Sequence, residues 1–176
     1  YNMRDAANVQ AWRSGGYTAI GISRYSGTNS GQSERVISSN GGNWLFGHHG
    51  RITERFYFDG WVRSSGAGWD NNWRMFEAVH EGHTHNADPK CDIYVTGEQK
   101  VSGSTASNNS WFMPQRLEFG AYGNNGENSK CQVAEFMMFN GMLSNGDREL
   151  LEGFLANKYG LSLPASHPYK DGGNPL

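Results

Sequence analysis

Cys91-Asp92-Ile93-Tyr94-Val95-Thr96-Gly97-Glu98-Gln99-Lys100-Val101 places apolar side chains at alternate positions, breaks at Thr96-Gly97 and then resumes. A period of two puts Cys91, Ile93 and Val95 on one face of a strand. The Thr-Gly step supplies a turn and residues 99–101 the returning strand, so the segment reads as a hairpin. The same signature recurs in both directions from it. Tyr17–Arg24, Arg35–Ser38, Trp44–Gly47, Phe56–Phe58, Trp61-Val62, Trp73–Val79, Leu117–Tyr122 and residues 133–139 are short β-rich runs. Turn-prone stretches such as Ser26–Gly31 and Asn40–Asn43 separate them, and the Asn40-Gly41 step is a strong hairpin signal because both residues tolerate positive φ. In the 73–79 run, Trp73, Met75 and Val79 share a face. Some ten strands at roughly 8–12-residue spacing are what sandwiches and barrels require. The chain is all-β.

One helix interrupts the pattern. Ser144 suits an N-cap, Asp147 can complete a capping box, and Leu150, Leu151, Phe154, Leu155 and Tyr159 form one apolar stripe. Gly160 stands where a left-handed C-terminal cap belongs, so the helix is expected over residues 145–159. Residues 163–176, with three prolines and two consecutive glycines, read as an exit linker after a domain of residues 1–162. The chain begins at Tyr1 without an initiator Met or leader, which suits a mature product or a domain of a larger protein.

Composition narrows the function. The 176 residues suit a single domain, with 24 Gly against 5 Pro and no collagen-like period. Net charge is -2, and Lys and Arg are scattered rather than striped, which disfavours a nucleic-acid partner. No apolar run approaches the ~20 residues of a membrane span. Cys91 and Cys131 fall in separate strands; a disulfide between them is favoured in a secreted chain, with two buried thiols as the alternative.

Three segments resemble the bacterial laminin G-like, concanavalin A-like jelly-roll domains of large secreted proteins. They are Asp92–Glu98, where Thr96 replaces the family's usual Asn; Leu117–Asn124 with Val133–Asn140; and Met142–Leu161 with its exit Leu163–Tyr169. Residues 17–62 resemble the family more weakly. The resemblance implies a two-sheet antiparallel jelly-roll β-sandwich with one C-terminal α-helix. It also implies an extracellular module that binds glycans, proteins or cell surfaces, often with structural calcium.

Catalysis is not expected. The Glu-x-Asp-x-x-Glu string of the related glucanases is missing, and so are the Gln-x-His and Arg/Glu-rich strands of jelly-roll lyases. Aromatic faces stack on sugar rings while amides and acids bond hydroxyls. Trp61, Trp69 and Trp111, with Asp70, Asn71, Asn72 and Asn109 beside them, are therefore the candidate ligand contacts. Trp44 and Trp73 alternate with core residues and read as buried. Asn124-Asn125-Gly126-Glu127-Asn128 is an oxygen-rich turn, so Asn124, Glu127 and Asp59 are the candidate calcium ligands, against the plainer reading of a solvated turn. His80, His83 and His85 have zinc-like spacing, but their position favours a solvated loop. The expected function is a non-catalytic carbohydrate-binding module whose partners are a polysaccharide or glycoconjugate and neighbouring domains. The rival is a structural or adhesion domain of a surface protein, filament or viral particle.

Overall fold

The computed structural model describes residues 16–28, 33–39, 43–58, 60–81, 89–105, 114, 116–123 and 126–171. The strands are β1 (Tyr17–Tyr25), β2 (Ile37–Ser39), β3 (Trp44–His49), β4 (Ile52–Phe58), β5 (Trp61–Arg63), β6 (Arg74–His80), β7 (Cys91–Val95), β8 (Glu98–Ser104), β9 (Leu117–Phe119) and β10 (Cys131–Asn140). A helix, α1 (Asn145–Tyr159), follows them. One sheet runs β10-β1-β6-β7-β8 and the other β5-β4-β3-β2-β9, with antiparallel pairing throughout. The result is a β-sandwich of jelly-roll type with one helix, as the strand pattern and the resemblance imply.

Alternation decides what lies between the sheets. Ala19, Phe76, Ala78, Cys91, Ile93 and Val95 from the first sheet meet Ile37, Trp44, Phe46, Phe56, Phe58 and Val62 from the second. Trp44 is fully buried, stacked on Phe46 at 5.3 Å, and its indole N–H donates to the Tyr17 hydroxyl at 3.1 Å. Gly21 is required here, because a Cβ would lie 2.9 Å from the Phe46 ring. His48 is sealed in the same layer against Tyr25 and Phe76, both at 4.9 Å. Burial first, and the Arg74 charge second, push its imidazole down to about 3. His80, the first histidine of the expected loop string, also lies in this core, stacked on Tyr17 at 4.8 Å. His83 and His85 lie outside the described residues.

The opposite parity of the first sheet faces α1. Ile20, Ile22 and Met75 pack with Leu155, and Trp73, Leu151 and Tyr159 close the layer. The helix occupies its expected span: Ser144 Oγ accepts from the Asp147 N–H at 3.2 Å, and Gly160 ends it at φ 65. Beneath it lies a buried polar cluster. Glu152 on α1 takes Arg148, and its second oxygen lies 2.7 Å from His167 Nε2. The Arg148 guanidinium sits 3.7 Å over the Tyr94 ring. Glu77 on β6 faces this group, fully buried. Burial first, and the Glu152 carboxylate second, push its carboxyl well above the usual range.

Two expectations change. Cys91 and Cys131 are free thiols. Cys91 aligns through His80 with Tyr17, while Cys131 aligns with Tyr25, at opposite ends of β1. Eight residues of strand separate those ends by about 26 Å, against the 7 Å limit for a disulfide. The expected exit linker also begins too early. His167 is buried against Glu152, and Tyr169 packs on Gly153 of α1, so the folded body reaches at least Tyr169. Residues 172–176 lie outside the described residues.

The β7–β8 turn has left-handed residues at both positions, Thr96 at φ 48 and Gly97 at φ 78. A side chain at Gly97 would collide with Leu163, 2.9 Å from the Cβ position. A β-branched residue at positive φ is strained, and Asn occupies that region more readily. Thr96→Asn is therefore expected to stabilise the domain by about 1 kcal/mol, read as a higher urea midpoint with unchanged slope. An unchanged or lower midpoint refutes this account of the turn.

Candidate functional site

The helix covers one face of the first sheet. The outer face of the second sheet carries a different population. Along β4 and β5, Phe56, Phe58 and Val62 point inward, which turns Arg55, Tyr57 and Trp61 outward. Trp61 is 36% exposed despite its size. Its ring meets Tyr57 edge-on at 5.1 Å, and the Arg55 guanidinium lies 5.0 Å from its centroid.

His49 joins this group because β3 turns into β4 through only two residues, Gly50 at φ 60 and Arg51 at φ 63. Period-two alternation along β3 sends His48 into the core with Trp44 and Phe46, and His49 outward. The His49 ring lies 5.9 Å from Trp61. Arg55 Nη1 donates to the His49 carbonyl at 3.4 Å and approaches its Nδ1 at 3.5 Å. His49 Nε2 lies 3.5 Å from Glu34 and 3.7 Å from Glu127. Glu127 is held by Arg35, whose guanidinium lies 3.8 Å over the Tyr122 ring. Burial first pushes the His49 imidazole below its usual value, opposed by Glu127 and Glu34 and reinforced by Arg35 and Arg55. A neutral ring whose Nδ1 accepts from Arg55 presents its Nε2–H to the two carboxylates.

The row therefore runs Trp61, Arg55, His49, Glu34 with Glu127, Arg35 and Tyr122. It combines an exposed indole with fixed donors and acceptors, the equipment for holding a ring that bears hydroxyls. Its two carboxylates, Glu34 and Glu127, both lie on the Nε2 side of His49.

The other expected contacts sit in different settings. Trp69 is half-buried against the inter-sheet core, and its N–H donates to Ser33 Oγ at 3.2 Å. Asp70 takes both Nη groups of Arg74, at 2.5 and 2.6 Å, which holds its carboxyl below the usual range. Asn71 and Asn72 are exposed, and the Asn72 N–H donates to Asp70 at 2.9 Å. This loop is tied to the outer face through Glu54, which takes Arg63 at 3.0 Å and Arg74 at 3.3 Å. Trp111, Asn109, Asn124 and Asp59 lie outside the described residues, and Glu127, the remaining candidate calcium ligand, is engaged by Arg35. Among the described residues, no group of three or more His, Cys, Asp or Glu could hold a metal ion.

A second concavity, about 1010 Å³, opens between the edge strands β9 and β10 and is lined by Leu117, Phe119, Cys131, Val133, Phe136 and Met138. Its one carboxylate, Glu135, is occupied by Lys158 at 2.8 Å and Tyr159 at 2.7 Å. It offers few partners to a polar ligand.

Reading the sequence singled out Trp61 but missed Arg55, Tyr57, His49, Glu34, Arg35 and Tyr122. The alternation Arg55-Phe56-Tyr57-Phe58 was a visible signal for the first two, since inward Phe56 and Phe58 turn their neighbours out.

No family model matches the chain, and no curated protein matches it. Among the described residues, no helix is long and apolar enough to cross a membrane. Solved structures do match. Trypanosoma rangeli sialidase in complex with 2,3-difluorosialic acid superposes with a TM-score of 0.58 at 14% identity, over 86% of this chain and 24% of that one. The binding domain of Paraclostridial Mosquitocidal Protein 1 gives 0.56 at 13% identity, over 80% and 37%. The botulinum neurotoxin serotype D binding domain gives 0.53 at 16% identity, over 81% and 38%. The chain thus spans about a quarter to two-fifths of the length of these structures, and at these identities the likeness is one of fold.

Proposed function

We propose that this chain is a non-catalytic, extracellular carbohydrate-binding module that grips glycan on the outer face of the β5-β4-β3-β2-β9 sheet. The observation that carries the reading is Trp61, exposed on the edge strand beside Tyr57, Arg55 and His49. A large aromatic left in water on a sheet face, with polar side chains already fixed around it, is costly unless something covers it. The solved structures of similar fold add support, since two of them are binding domains.

The test is retention on polysaccharides in affinity electrophoresis, followed by calorimetry. Trp61→Ala is expected to weaken binding by about 30-fold, a hot-spot loss of roughly 2 kcal/mol, with an unchanged circular dichroism spectrum. Equal binding by a folded Trp61→Ala variant overturns the reading.

A further inference from the structure

We infer that the sugar taken by this face is anionic, bearing a carboxylate or sulfate that Arg55 receives. This rests on the glycan-binding reading and adds the ligand's charge. Of the arginines on or beside the face, Arg35 is matched by Glu127, Arg63 by Glu54, and Arg74 by Asp70 and Glu54, while Arg51 stands exposed in water on the β3–β4 turn. Among the described residues, Arg55 has no carboxylate within ion-pair distance. Its hydrogen bonds are the two long Nη1 contacts to His49, and its Nε is buried without a partner.

A guanidinium carries five donors in a planar fork, shaped for a two-oxygen acid. Here the fork lies next to an exposed indole, so one ligand ring can rest its C–H face on Trp61 and give its acid group to Arg55. Burial already disfavours the charge on Arg55, and an incoming anion relieves that cost. The nearby acid, Glu34, acts on Arg55 through its charge but makes no ion pair with it. It sits on the Nε2 side of His49, and Arg55 on the Nδ1 side, with the imidazole between them. A neutral sugar offers Arg55 hydroxyl acceptors but neither the paired oxygens nor the charge of an acid group.

The full chain is tested on an array carrying uronate-containing, sialylated, sulfated and neutral glycans. Polygalacturonate is then compared with its methyl ester, the same polymer with its charge removed. Acidic glycans are expected to bind at least tenfold more tightly than neutral counterparts. Arg55→Gln is expected to erase that preference, Arg55→Lys to restore little of it, and Arg51→Gln, at an exposed arginine on the neighbouring turn, to leave it intact. Equal binding of neutral and acidic glycans, still lost in Trp61→Ala, overturns the anionic ligand and keeps the glycan reading. Acid preference that survives Arg55→Gln overturns the role of Arg55. Silence across the array overturns both. If Arg55→Gln does not fold, the acid–neutral comparison on the unaltered chain still decides the ligand's charge.

Discussion

Glu152→Ala is expected to destabilise the domain by about 3–5 kcal/mol, because it strands a buried arginine. Arg148 would keep only the Tyr94 ring and a 3.5 Å contact to Glu149, and His167 would lose its partner. At this size the loss corresponds to a melting temperature lower by roughly 10 °C. The same cluster makes stability fall as pH rises above the ordinary carboxylate range. Glu77 has a folded pKa raised above its unfolded value, so its contribution is full below the ordinary carboxylate range. It is lost as pH rises through the folded pKa. Glu77→Gln keeps a neutral group in place and is expected to flatten that fall. Urea unfolding of both variants and the unaltered chain from pH 5 to 10 gives the answer. An Glu152→Ala cost below 1 kcal/mol, or a Glu77→Gln profile parallel to that of the unaltered chain, means the cluster is not the buried, charge-balanced unit described here.

The second large effect is acid sensitivity through His48. Its folded pKa, about 3, lies below the ordinary value of 6.5. The unfolded chain therefore binds a proton over that interval and the folded chain does not. The sign follows: stability is present above 6.5 and lost as pH falls toward 3. Relative to His48→Leu, the unaltered chain should lose about 1.4 kcal/mol for each pH unit below 6.5. His48→Leu also removes a buried imidazole that lies between Tyr25 and Phe76. It is therefore expected to match or exceed the unaltered chain in stability at pH 7. Unfolding curves for the two that stay parallel from pH 7 to 4 would exclude His48 as the acid trigger.

What was readable in the sequence was local. The helix could be placed because each of its signals, Ser144, Asp147, the apolar stripe and Gly160, acts within a turn or two of itself. The Cys91–Val101 hairpin was readable for the same reason. The binding face was not, because its partners are distant in the chain: Arg35 meets Glu127 across 92 positions, and only sheet order brings them together. The adjacent pair His48-His49 shows the limit most sharply. One residue apart, they face opposite sides of β3, and the carboxylates that meet His49 come from Glu34 and Glu127, distant in the chain. The thiols make the same point in reverse: both fall in strands of one sheet, but at opposite ends of it.

Among the described residues, α1 packs on the first sheet and no helix covers the second, which sets where the chain is free to vary. β1 is shielded on both sides, so nearly every one of its positions is bound by packing. Arg55, Tyr57 and Trp61 answer to no such double constraint. Descendants of this chain could exchange those three, present a different surface to whatever they meet, and fold as readily as before.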